Sequence, residues 1–252
     1  MNDPRRHATF AATLALAATA SAFTSAPPPL KPEPGFAQGQ VLDTRGAPVP
    51  GAKIIVDSTV LRDVNLITKT DARGRYRVPL PPLNSWRVYA SIEREYHGRT
   101  YAFDLHPTTD KTFSSVQGGV SDFRWQLTGE KTGGSHGTYG GTVLASAEAG
   151  DFSIEGQAVE LTLTPNGPLV DGNPGTTIKA KVAATGDGLG LADVPIGRYT
   201  VTARYAPPGE TSRALLVRLE GVGEYGERVT GDFTEHKYVR GAYQLRLDVR
   251  LP

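Results

Sequence analysis

Apolar residues recur along this chain at every second position, the period of a strand with one buried side. In the run from Trp86 to Ser91, Trp86, Val88 and Ala90 share one face while Arg87, Tyr89 and Ser91 share the other. Val159, Leu161 and Leu163 alternate in the same way with Glu160, Thr162 and Thr164, and Phe123, Trp125 and Leu127 line one side of the stretch Ser121 to Gly129. The β-rich runs Ala52 to Val56, Thr100 to Leu105, Thr177 to Gly188, Arg213 to Gly221 and Ala242 to Leu251 complete a chain written in strands, with no helical periodicity past Ile92.

The residues between the runs are turn-formers with identifiable tasks. Pro48 and Pro50 fix φ near −65° ahead of the run at Ala52, and Arg45-Gly46 supplies the bend before them. Asp71 is placed to accept hydrogen bonds from amides just downstream, and Gly74 to take positive φ, which together predict a turn into Tyr76 and Val78. Asn84-Ser85 turns the chain into Trp86.

In this order, "DTRGAPVPGAKIIV", "TDARGRYRV" and "PLPPLNSWRVYA" resemble the carboxypeptidase regulatory-like domain, a transthyretin-like sandwich grouped with carbohydrate-binding-like folds. The resemblance covers residues 35–92. It implies a β-sandwich of about seven strands that accompanies peptidases, transporters and surface proteins without performing chemistry, and it brings no active site.

The layout recurs beyond a glycine-rich break at Gly129 to Gly141. Tyr199, Val201 and Ala203 answer Trp86, Val88 and Ala90 after a comparable proline turn, although the second half has no counterpart of "TDARGRY". The fold class expected is therefore all-β, with two tandem transthyretin-like (Ig-like) sandwiches. The first spans 35–130 and the second 140–252, with a Gly-rich linker at 131–139.

The first residues read as an export signal. Arg5-Arg6 precede an alanine-rich apolar run, and small residues around Ala20 and Ala22 offer cleavage sites, giving a signal peptide at 1–22. Cleavage after Ala20 and retention as an anchor remain alternatives. Residues 23–34 form a proline-rich spacer. Together these place the protein outside the cell or in the periplasm and envelope, with no stable membrane insertion once the signal is removed. The 252 residues contain no cysteine, so neither disulfides nor a lipidated cysteine contribute. A net charge of +1 offers no electrostatic footprint for nucleic acid.

Candidate chemistry is sparse. Gly133-Gly134-Ser135-His136-Gly137 matches a nucleophile-elbow pattern but lacks the strand and helix that would strain such a turn, so it reads as linker. Glu93, Glu95 and His97 are spaced for one strand face but have no identifiable fourth ligand, His106 and His236 stand alone, and no metal or cofactor is assigned. Asp171 and Asp187 sit in glycine-rich turns and read as turn residues. Aromatic rings offer the remaining route to a ligand: Tyr89, with Tyr96 or Tyr101, is a candidate platform on which a sugar ring would stack. The expected function is a non-catalytic structural or protein-binding module; the alternative is a carbohydrate-binding protein. The corresponding partner is an envelope protein or a polysaccharide.

Overall fold

The computed structural model describes residues 29–82, 85–132, 137–148, 151 and 153–252. The signal peptide expected at 1–22 and half of the proline-rich spacer lie outside these residues, as do Asn84 and Gly133 to His136. The described chain is all-β, with one short 3₁₀ turn, Gly156–Ala158, and no α-helix among the described residues.

Strands β1 (Phe36–Leu42), β2 (Lys53–Ser58), β3 (Asn65–Lys69), β4 (Arg75–Pro79), β5 (Trp86–Tyr96) and β6 (Arg99–Asp104) are followed by three two-residue pieces, β7 (His106–Pro107), β8 (Gly119–Val120) and β9 (Phe123–Arg124). They form two sheets, β4-β1-β9-β7 with β8 also on β1, and β3-β2-β5-β6. The sheets face one another across Ala37, Val41, Val78 and Phe123 on one side and Ile54, Val56, Trp86 and Val88 on the other, all buried. Trp86, wholly buried, gives its indole N–H to Ser115 Oγ at 2.8 Å, so its polar atom is satisfied inside the core.

The turns form where the residues demand. Asp71 Oδ1 accepts from the amides of Arg73 (2.8 Å) and Arg75 (2.9 Å), and Gly74 stands at φ 68°. A Cβ on Gly74 would lie 2.5 Å from the Val41 carbonyl oxygen. Asp43 builds a similar turn by accepting from Arg45 and Ala47, both at 2.8 Å. The end of the spacer is not free chain: Glu33 pairs with Arg77 at 2.6 Å, and Lys31 accepts from the Gln38 amide.

The rest of the chain adds β10 (Gly141–Ala147), β11 (Val159–Pro165), β12 (Ile178–Lys181), β13 (Ala183–Thr185), β14 (Gly188–Val194), β15 (Arg198–Tyr205), β16 (Arg213–Leu219), β17 (Val222–Gly226), β18 (Val229–Asp232), β19 (Thr234–Glu235) and β20 (Tyr243–Arg250). The pairing of the first half returns. The antiparallel and parallel neighbours of β1, namely β4 and β9, have their counterparts in β14 and β20 beside β10, and β3-β2-β5-β6 reappears as β12-β11-β15-β16. One feature departs. Residues 213–215 of β16 pair with β15, whereas residues 216–219 pair with β20, so this strand crosses between the two layers and joins them into one eleven-stranded sheet.

Buried residues of both halves belong to one continuous apolar cluster. The Gly-rich segment between them is tied down at its ends. Tyr139 N–H donates to Gly129 O, Lys131 N–H donates to Gly137 O, and the Asp193 carboxylate accepts from the amides of both Gly129 (2.8 Å) and Gly140 (3.1 Å). Asp193 itself lies at φ 57°, a conformation that Asp adopts more readily than most residues.

Candidate functional site

The three tyrosines proposed as a platform have separate fates. Tyr101, on β6, is 1% exposed, and its hydroxyl donates to Phe233 O at 2.8 Å. Tyr96, at the end of β5, is half-buried; its hydroxyl donates to Pro168 O (2.7 Å) and accepts from Arg198 N–H (2.9 Å). The Tyr101 ring is shut inside the junction between the two halves and has no face open to a sugar, while the Tyr96 hydroxyl is engaged at the same junction and its ring stays partly exposed. The reason lies in the length of β5. Beyond Ile92 the inward side of the β5–β6 hairpin carries Arg94, whose guanidinium lies over the Trp125 ring, and then Tyr96 and Tyr101, which meet the second half. Desolvation at this junction pushes the Tyr101 hydroxyl up to about 12.

The second half answers with Tyr243, whose ring centroid lies 5.0 Å from that of Tyr101. Its hydroxyl accepts from Ala102 N–H (2.6 Å) and donates to Ala102 O (3.1 Å), doing at the free edge of β6 what a neighbouring strand would do. Around this centre Thr44 Oγ1 donates to Asp171 Oδ2 at 2.8 Å and accepts from Asn173 Nδ2 at 3.0 Å. Asp171 is therefore a contact between the halves as well as a turn residue.

Tyr89 alone of the three keeps an open ring, at 39% exposure. Strand register sets it beside Ile55, and Ile55 beside Ile67, which is 63% exposed. These residues make an apolar row across β3, β2 and β5 on the outer face of the sheet. Lys69 and Lys53 flank the row on one side, and Asp57 and Arg87 on the other. The Arg87 guanidinium is held above its ordinary value by a hydrogen bond that it donates to Tyr89 and by the charge of Asp110.

The remaining candidates separate in the same way. Glu93 and Glu95 are exposed on β5, but His97 occupies the β5–β6 turn at φ 48°, off the strand face. Glu95 is hydrogen-bonded by Thr100. Among the described residues no three His, Asp or Glu side chains converge in a way that would hold a metal ion. His106 Nδ1 lies 3.3 Å from the Tyr139 hydroxyl and 3.4 Å from Thr132 Oγ1. The Asp187 turn is made by Thr185, whose hydroxyl accepts from Asp187 N–H (3.2 Å) and donates to Gly188 O (2.8 Å); Asp187 is thus released from the turn role assigned to it.

Sequence reasoning missed Tyr243, Asp193 and the pairing of Asp187 with His236. Nothing local marks them, because each acts on residues about fifty or more positions away.

The class these features define is an all-β protein built from face-to-face sheets, its two halves sharing one strand plan. Residues 37–116 match the family model described as "Carboxypeptidase regulatory-like domain", the family that the turn sequences of this segment resemble. No curated protein matches the chain. Among solved structures, "The Bacillus anthracis TIE protein" aligns at 12% identity and TM-score 0.35, covering 86% of this chain and 33% of its own. The "Streptococcal ancillary pilin" aligns at 12% and 0.26, over 85% of this chain and 62% of the pilin. A C-terminal fragment of pilus adhesin SpaC from Lactobacillus rhamnosus GG aligns at 13% and 0.26, over 86% and 98%. The chain spans about a third of the first of these proteins and less than two thirds of the second. Overlays this loose carry no argument about what the chain does.

Proposed function

We propose that this is an exported, non-catalytic protein that works as a structural or protein-binding module at the cell envelope or outside the cell. In this reading residues 35–130 and 140–252 are two sandwich domains held as one rigid body by Tyr96, Tyr101 and Tyr243. The observation that carries the binding role is the apolar row Ile67, Ile55 and Tyr89 on the open face of β3-β2-β5, with Val60 (57% exposed) and Leu61 (44%) also uncovered in the β2–β3 loop. Neighbouring exposed apolar side chains on a sheet face are a feature of protein contact surfaces. The free edge of β3 beside them offers unpaired backbone groups to a partner strand.

The test is capture from a cell-envelope extract by the mature chain, Phe23 onward, with isolated glycans as competitors. Retention of one protein that glycans do not displace, and its loss in Ile67→Glu without a change in Tm, is the expected result. Capture that survives Ile67→Glu sinks the assignment of this face. Retention on a defined polysaccharide in place of any protein overturns the reading itself.

A further inference from the structure

A second surface, remote from the apolar row, has the chemistry of a small-ligand site. Between the β13–β14 turn, the start of β20 and the loop from His236 to Ala242 lies a cleft of about 390 Å³, lined among others by Asp187, His236, Arg240 and Gln244. That volume is within the range of cavities that hold small ligands.

Its polar groups are fixed in advance. Gln244 is 4% exposed; its Nε2 donates to Asp187 Oδ2 at 2.7 Å, while its Oε1 accepts from Arg246 at 3.3 Å. This chain of bonds sets the direction of the Asp187 carboxylate, which is itself 41% exposed at the cleft. His236 Nδ1 accepts from the amides of Tyr238 (3.1 Å) and Val239 (3.0 Å), so in the neutral ring the proton sits on Nε2. Nε2 lies 3.8 Å from Asp187 Oδ1, so a fixed donor and a fixed acceptor stand side by side.

This arrangement is unsuited to general-base catalysis, because the ring nitrogen that would take a proton is already committed to two amides. One carboxylate and one imidazole are also too few for a metal. They suit vicinal hydroxyls, which need an acceptor and a donor a few ångströms apart. The same loop carries Tyr238 outside the cleft lining but next to His236, 80% exposed, its ring centroid 6.0 Å from that of His236 and 5.2 Å from Lys237 Nζ. An open aromatic face beside oriented polar groups is what a pyranose ring requires: apolar C–H faces to stack and hydroxyls to bind.

We infer that this cleft binds a saccharide unit, with Asp187 and His236 holding adjacent hydroxyls and Tyr238 stacking on the ring. The site is independent of the protein-binding face, so either assignment can fail alone. The experiment is saturation-transfer NMR and calorimetric titration of the mature chain with two probes, cellobiose and digalacturonate, at millimolar concentration. Binding of at least one, weakened about tenfold or more by Asp187→Asn and by Tyr238→Ala, is expected. Asp187→Asn keeps an acceptor for Gln244, and Tyr238 lies on the surface, so both variants retain the fold; an unchanged Tm verifies this. Failure of both probes to bind, or binding unaffected by either substitution, overturns the proposal.

Discussion

The two halves of this molecule use one strand plan and close it in different ways. In the second half β16 leaves β15 at Leu215 and joins β20 from Leu216, so the layer edge is sealed by the backbone of the strand itself. Its counterpart in the first half, β6, pairs only with β5. The exposed edge at Ala102 is instead satisfied by the hydroxyl of Tyr243 from the other half. A side chain thus replaces a strand, and at this edge the first sheet pair takes from its neighbour the backbone hydrogen bonds that the second supplies with its own strand. The comparison explains the aromatics of the β5–β6 hairpin. They cover an end that the first sheet pair leaves open.

The sharpest way to break this comparison is Tyr101→Ala. Removing a wholly buried aromatic ring from the junction costs about 3–5 kcal/mol by analogy with other large-to-small core changes, read as a shift in denaturant midpoint at constant slope. The loss should be greater for probes in residues 36–125 than for probes in β11 or β15. Equal loss in both, or a cost no larger than that of exposed Tyr238→Ala, would show that the first half closes without its neighbour. Tyr243→Phe is the milder version. It keeps the ring and removes only the hydroxyl, leaving Ala102 N–H and C=O without their partner, at about 1–3 kcal/mol. Amide exchange at Ala102 should accelerate while exchange in β16 does not change; protection retained at Ala102 would mean that water substitutes for the tyrosine.

Much of this architecture is legible in the chain because it rests on local rules. Period-two alternation places Trp86, Val88, Ala90, Leu161 and Leu163 inside, and Asp71 with Gly74 specifies a turn that forms as expected. Alternation even persists where pairing does not: Phe123, Trp125 and Leu127 are all buried, although only Phe123–Arg124 is strand. What alternation cannot convey is the identity of the surface a face will meet. Tyr96 and Tyr101 read as candidates for an open platform because parity assigns a side and says nothing about what packs on it. Asp193 reads as an ordinary residue of "LADVPIGRY", yet its carboxylate holds both ends of the Gly-rich segment. The apolar row of Ile67, Ile55 and Tyr89 is likewise invisible until strand register brings three separated residues into line.

The smallest expected effect is also the one that separates the junction from a sandwich core. Burial raises the hydroxyls of Tyr101 and Tyr199 alike, each to about 12 from the ordinary tyrosine value of 10.0. Tyr101 sits at the junction, and Tyr199 lies inside the second half with its hydroxyl on Pro195 O. In both cases the unfolded chain releases its proton first as pH rises. The stabilisation is therefore complete below pH 10.0 and is lost progressively towards about 12. Tyr101→Phe and Tyr199→Phe should each flatten the alkaline fall in stability. If the first half leans on the second, Tyr101→Phe will flatten it for probes at β1 and β4, whereas Tyr199→Phe will do so for probes at β11. A single alkaline transition, altered identically by either substitution at every probe, would mean that the halves unfold as one unit and that the dependence is mutual.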